Sequence, residues 1–436
     1  MSTADFGSLT LVLFVLITLA HILGYISVKL RQPRVLGEIM AGVLLGPSIL
    51  GHFVPELAAN LSNTHISPGN SSEQHAPILG FLYNLGLLLL MFASGAETRG
   101  LFHPEDTRQV AWLASVGTGL PFILALVLAP LFPLHLLMGG ANQSTALLLV
   151  VGIAMAVTSI PVISKILHDL RILHTRFARL ILGVAVAEDV VLWVVLAVAT
   201  AVARSGKFPH HEIVLHVSAT LLYFALGLVA APPLLKRLSS GRLNVLAANS
   251  PIAYVMAVLL AYAALAALLH VSLVFAAFLA GIAVMKDQRL KDAVETINKI
   301  SCAIFIPVYF AIVGYQLDLS KTFSLGMLIA FLFLACAIKL ISAGLGARLA
   351  GFPPRDSFNL AITLNARGGP GIVLASVAFE AAIINARFYT TLVLVAVLTS
   401  AMAGAWLDYL LRTSQPLLSG EKCEPTDSSS KEPLAA

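Results

Sequence analysis

Two adjacent carboxylates, Glu188 and Asp189, stand in the middle of the apolar stretch ARLILGVAVAEDVVLWVVLAVATAVA, residues 178–203. A helix rises about 1.5 Å per residue, which sets Asp189 roughly 18 to 21 Å from either end of such a span, too deep for the side chain to reach water by bending. An acidic group at the centre of a bilayer costs on the order of 2.5 to 3.5 kcal/mol on insertion scales, so two of them call for a partner or a water-filled cavity. Successive helix positions point about 100° apart, so the two need not share one environment. One can pair with a cation while the other faces a pathway. Lys339, inside ACAIKLISAGLG, is the first candidate partner, and Arg367, inside TLNARGGPGIV, is the second. A carboxylate left unpaired at that depth binds either a proton or a hard cation. The hydroxyls of Thr158 and Ser159, in AVTSIPVISK, and carbonyls freed by a helix break would complete an all-oxygen donor set. A purely structural buried ion pair accounts for only one of the two acids.

These groups need a membrane scaffold, and the composition supplies it. The 436 residues are 58% hydrophobic and 11% charged, against about 45 to 50% and 25% in soluble domains. Apolar runs long enough to cross a bilayer, roughly 18 residues or more, recur throughout. They predict an all-α polytopic membrane protein of about 13 transmembrane helices, beginning near residues 7, 34, 77, 109, 143, 177, 212, 249, 271, 297, 322, 357 and 388. The first run follows Asp5 with no basic leader and is too long for a signal peptide, so it reads as a retained span. Taking the loops after odd-numbered spans as cytoplasmic puts 21 Lys and Arg inside against four outside (Arg204, Lys207, Lys321 and Arg387). That excess predicts an exterior N-terminus and a cytoplasmic C-terminus. Basic residues serving as topology signals give no reason to expect a nucleic-acid partner. The three cysteines suggest neither a disulfide framework nor a metal site.

The loop from Gly51 to Ala76 has no Lys or Arg and carries sequons at Asn60 and Asn70, with a third at Asn142. After Arg412 the chain turns polar, and residues 413–436 read as a disordered cytoplasmic tail. Thirteen spans permit two six-helix inverted repeats, about 7–204 and 249–412, joined by a linker helix at about 212–236. EIMAGVLLG in the second span resembles AAFLAGIAV in the ninth, and FASGAE in the third resembles FAIVGYQLD in the tenth. Inverted repeats place a binding site between paired broken helices. The fifth span has Pro161 after Thr158 and Ser159, and the twelfth has Gly368, Gly369 and Gly371. Both are therefore expected to unwind at bilayer depth, which is tolerated where backbone lines a cavity or is buried in protein. Ordinary proline kinks are the plainer alternative. Small-residue patterns around Gly42 and Gly281 predict close helix packing. Glu38 either lines an entrance or satisfies amides at a helix start.

The stretches LGEIMAGVLLGPSILG (36–51), LLLLMFASGAE (87–97), the AED of the sixth span, the Lys339 span and LNARGGPGIVLASVAFEAAII (364–384) together resemble the monovalent cation:proton antiporter superfamily. They are most similar to its second branch, with bacterial sodium/proton exchangers, potassium efflux systems and plant cation/proton exchangers. The resemblance spans nearly the whole chain. It implies a sodium/proton antiporter-like fold of 13 helices, with a dimerisation domain and a moving core in which two discontinuous helices cross beside the ion-binding acid. It implies that Asp189 is the ion- and proton-binding aspartate, the metal being sodium or potassium, with Glu188 the preceding acid and Lys339 its partner. Thr158 and Ser159 then mark the first break and Arg367 the second. A homodimer in the plasma membrane, in contact with lipid and needing no cofactor, is implied too. Glu188 departs from the pattern, since related exchangers often carry Asp or Asn there.

The predicted function is secondary antiport of Na+ or K+ against H+. The alternatives are a ligand-gated potassium efflux pathway, against which no GxGxxG-bearing βαβ unit follows Arg412, and a sodium-coupled symporter for an organic solute, which calls for a more polar cavity lining. The buried acids lack a nucleophile or metal set, so an enzyme is not expected.

Overall fold

The computed structural model describes residues 3–30, 32–50, 76–97, 104–128, 133–204, 210–239, 244–269, 271–285 and 287–419. Among them the regular structure is helical, apart from a single bridge between Met138 and Ile384. A helix satisfies its own backbone where no water can, which is why apolar runs of this length fold in this way. The first eight α-helices are α1 (Thr3–Lys29), α2 (Arg34–Leu45), α3 (Ala76–Glu97), α4 (Thr107–Leu128), α5 (Ser144–Ala156), α6 (Ile160–Asp169), α7 (Arg176–Arg204) and α8 (His210–Ala225). A π turn, Leu226–Ala230, leads into α9 (Ala231–Ser239), followed by α10 (Pro251–Leu268) and α11 (Leu273–Val284). α12 (Lys291–Ile300) passes through a second π turn, Ser301–Phe305, into α13 (Ile306–Tyr315). The last four are α14 (Leu325–Leu349), α15 (Pro354–Leu364), α16 (Gly368–Glu380) and α17 (Ala386–Arg412). Several start at side-chain caps: Ser250 accepts from the Ala253 amide, Ser324 from Met327 and Asn385 from Phe388, each satisfying an amide the helix cannot.

Nine helical stretches among the described residues are long and apolar enough to cross a membrane, and α15 with α16, bent by 44° at their junction, make a tenth. The chain is an integral membrane protein. The other three predicted spans fall on shorter helices: the second on α2, the fifth on α5 and α6, the ninth on α11.

Glycine sets the closest helix contacts. A Cβ on Gly42 of α2 would lie 1.8 Å from the Ala311 carbonyl oxygen on α13, and one on Gly314 of α13 would lie 2.0 Å from that of Ile39 on α2. The same reciprocity joins α3 to α11, where a Cβ on Gly95 would lie 2.1 Å from the Phe278 carbonyl oxygen and one on Gly281 would lie 2.2 Å from that of Phe92. The small-residue patterns therefore serve backbone approach, as their sequence suggested. The pairings echo one another: α1 packs on α2 as α10 packs on α11, and α4 on α5 as α14 on α15.

The chain following α17 does not leave the bundle at once. Leu417 and Leu418 are buried, Asn359 donates to the Leu417 carbonyl, and Asp356 accepts from the amide and hydroxyl of Ser419 at 2.7 and 2.9 Å. Residues 413–419, read from sequence as the start of a disordered tail, thus fold back on α15, because two buried leucines and a buried acid offset the ordering cost. Residues 420–436 and the sequons at Asn60 and Asn70 lie outside the described residues.

Candidate functional site

The two predicted interruptions meet. α5 ends at Ala156 and α6 begins at Ile160, and α15 ends at Leu364 and α16 begins at Gly368. The intervening stretches of backbone cross-link each other: the Ser159 amide donates to the Ala366 carbonyl at 2.8 Å, and the Thr158 hydroxyl to the Leu364 carbonyl at 2.6 Å. Gly368 takes φ +39°, a conformation costly to a residue with a Cβ, and its amide donates to the Ser400 hydroxyl at 3.0 Å. The Arg367 amide donates to Thr399 Oγ1 at 3.3 Å. Each freed backbone group named here therefore finds a partner in protein, as burial at this depth demands.

α7 runs past this crossing and carries the two acids, which it separates. Lys339 of α14 is fully buried and donates to Glu188 Oε1 at 2.8 Å, to Oε2 at 3.0 Å, to the Gly117 carbonyl at 3.2 Å and to the Ala156 carbonyl. Its three N–H bonds are thus spent on one carboxylate and two carbonyls. Asp189, one residue on, is fully buried too, and neither carboxylate oxygen has a hydrogen-bond partner in the structure. Of the two acids, Glu188 is neutralised in place and Asp189 is left with open coordination.

Arg367 does not pair with either acid. Its guanidinium donates to the carbonyls of Ala154 (2.9 Å), Met155 (3.3 Å) and Ala335 (2.9 Å), and to the carbonyl and side-chain oxygens of Asn365. Two of those carbonyls, of Ala154 and Met155, and the Ala156 carbonyl bound by Lys339 belong to the last turn of α5. Both cations therefore sit against the negative end of a half-helix whose carbonyls have no further turn to bond.

The crossing is open on one side and packed on the other. A cavity of about 250 Å³ is walled by Glu38 of α2, Ser94 and Glu97 of α3 and Cys302, and reaches Val162 and Gly369 beside the breaks. Glu38 is buried and ion-paired with Arg34, one turn earlier, at 2.9 Å, so it answers a cation rather than the amides suggested by its place at a helix start. Toward the other end of α3 and α16, the Tyr309 hydroxyl donates to Ser376 Oγ at 3.3 Å, and the Tyr83 and Tyr309 rings lie 5.1 Å apart. Phe379 stacks on Tyr389 at 4.9 Å. All three tyrosines are buried. A second cavity, about 610 Å³, runs between α4 and α7 and touches Glu188 but is otherwise mainly apolar.

Sequence reasoning placed Thr158, Ser159, Glu188, Asp189, Lys339 and Arg367 at one locus, and the structure brings them together. It missed Thr399 and Ser400, which serve the second break, and the vestibule residues Ser94 and Glu97. The only trace of the first two was a TS pair inside an otherwise apolar run.

A family profile described as sodium/hydrogen exchanger, transmembrane, matches residues 14–413. Cation/H(+) antiporter 18 of Arabidopsis thaliana is 28% identical over 396 residues, 88% of this chain and 47% of that protein. The Na(+)/H(+)-K(+) antiporter GerN of Bacillus cereus is 24% identical over 404 residues, 92% of this chain and 95% of GerN. K(+)/H(+) antiporter 1 of Saccharomyces cerevisiae is 28% identical over 393 residues, 85% of this chain and 42% of that protein. The chain spans about half the length of the plant relatives it matches. In fold it is similar to the sodium proton antiporter MjNhaP1 of Methanocaldococcus jannaschii, with a TM-score of 0.64 at 14% identity, covering 95% of this chain and all of that one. With its broken helices crossed beside a buried aspartate and the profile spanning nearly its full length, the chain belongs to the sodium/hydrogen exchanger family.

Proposed function

We propose that this chain exchanges a monovalent cation, sodium or potassium, for protons by alternating access, with both competing for Asp189. The observation that carries the reading is the contrast on α7: Glu188 is satisfied by Lys339, whereas the adjacent, equally buried Asp189 has two oxygens without a partner. A group that binds a proton at one moment and a cation at another needs that freedom. The Thr158 and Ser159 hydroxyls and the carbonyls of the crossing are the nearby oxygens from which a hard cation would draw its remaining ligands. Asp189 releases its proton to take the ion on one side, and releases the ion to regain a proton on the other.

The echoing helix contacts support two inverted six-helix repeats, about 7–204 and 249–412, on either side of a linker at about 212–236, and a total of 13 spans with the short and broken helices included. The surplus of Lys and Arg in alternate loops supports a plasma-membrane orientation with the N-terminus outside and the vestibule facing the cytoplasm. The homodimer rests on family resemblance. The test of the activity is direct: everted vesicles containing the protein, acidified inside, should lose part of their pH gradient on addition of sodium or potassium. A gradient indifferent to both ions, with the protein present and monodisperse on extraction, contradicts the reading.

A further inference from the structure

The vestibule holds more oxygen than an open passage requires. Two carboxylates on different helices, Glu38 of α2 and Glu97 of α3, line it, and so does Ser94, one turn before Glu97. Ser94 is buried, and its hydroxyl has no hydrogen-bond partner in the structure. A buried hydroxyl left unpaired is destabilising, and a ligand in the cavity would satisfy it. Two positive groups also stand on the walls: Arg34, ion-paired with Glu38 at 2.9 Å, and Lys165 of α6, which has an interaction of its own. Glu97 forms no ion pair among the described residues. Among the described residues the cavity thus offers a carboxylate outside any ion pair beside a hydroxyl without a hydrogen-bond partner. At about 30 Å³ per water in the liquid, the 250 Å³ space holds an ion together with several of its waters.

We infer that Glu97 and Ser94 form a second, loading site for a partly hydrated monovalent cation, occupied before the ion passes to Asp189. Glu38, held by Arg34, shapes the opposite wall. The donor set of carboxylate, hydroxyl and retained water suits a hard cation, and a single free carboxylate keeps the hold weak enough to release inward. The cavity ends at Gly369, next to the crossing, so a loaded ion already stands where the broken helices begin. Electrostatic focusing in a low-dielectric cleft raises the local cation concentration in the same way that it raises association rates.

The identity of the ion rests on the antiport reading, but the test needs no transport. Cys302 lines the cavity and Cys336 is buried, so after Cys423→Ser the accessible thiol is Cys302. Its rate of modification by a cationic thiosulfonate reagent is measured with increasing sodium or potassium, and with N-methylglucamine at matched ionic strength as the control. Sodium or potassium should slow labelling where N-methylglucamine does not. Glu97→Gln should raise the half-protecting concentration about tenfold, as befits loss of one charge-assisted contact, with Ser94→Ala raising it less. Glu97→Asp should restore most of the protection. In Asp189→Asn, protection should persist near the parent concentration even though exchange is lost. Equal protection by N-methylglucamine, indifference to Glu97→Gln, or disappearance of protection in Asp189→Asn would each overturn the loading site. In exchange assays Glu97→Gln should raise the KM for the cation more than it lowers the maximal rate.

Discussion

Lys339 Nζ lies 2.8 Å from Glu188 Oε1, with both side chains excluded from solvent. Breaking a buried pair from one side leaves an uncompensated charge, at a cost of about 3 to 5 kcal/mol. Lys339→Met and Glu188→Gln should therefore each lower the Tm in detergent. Combined, they should recover much of the loss, because the double variant carries no stranded charge. Thermal melts of the two single variants and the double one measure this, and a purely additive loss would show that the pair does not act as a unit.

The Thr158 hydroxyl bridges the two breaks through the Leu364 carbonyl at 2.6 Å. Thr158→Val keeps the shape and strands that carbonyl, a loss of about 1 to 3 kcal/mol. Thr158→Ser should retain the bond. The expected order of exchange rate is therefore Thr, then Ser, then Val, read in vesicles at equal protein content.

Gly368 admits no side chain. A Cβ there would stand 2.4 Å from Val162 Cγ2 and 2.6 Å from Ser159 Oγ, at a φ of +39°. Gly368→Ala should abolish exchange and lower the Tm, whereas Gly326→Ala, with nothing within 4 Å of its Cβ, should do neither. Comparison of the two variants separates strain at the crossing from the general effect of an added methyl.

The side of the crossing opposite the vestibule is held by the Tyr309–Ser376 hydrogen bond and by ring packing. If this seal parts during the cycle, Ser376→Cys should be nearly inert to an impermeant thiol reagent applied from that side, and adding Tyr309→Ala should expose it. A thiol in the Ser376→Cys variant that reacts equally fast with Tyr309 intact would place the seal elsewhere.

Much of this was legible in the sequence because the bilayer penalises polarity. Glu188, Asp189, Lys339 and Arg367 stand out inside apolar runs, and Pro161 and the Gly368–Gly369 pair mark where helices cannot continue. The pairing of Lys339 with Glu188 was among the readings that the sequence allowed. Most partners of Arg367 were not, because they are main-chain carbonyls, among them those of Ala154, Met155 and Ala335, and a freed carbonyl leaves no mark in the residue type. The docking of residues 413–419 was hidden for a related reason. Asp356 and Asn359 look like ordinary polar residues at a helix start until a segment 58 to 63 positions away is seen to bond them.

The central claim is that Asp189, and not Glu188, carries the exchanged ion and proton. Everted vesicles with Asp189→Asn should show no sodium- or potassium-dependent collapse of the pH gradient, while the variant melts at or above the parent temperature, since it exchanges a buried unpartnered acid for an amide. Full exchange in Asp189→Asn would contradict the account.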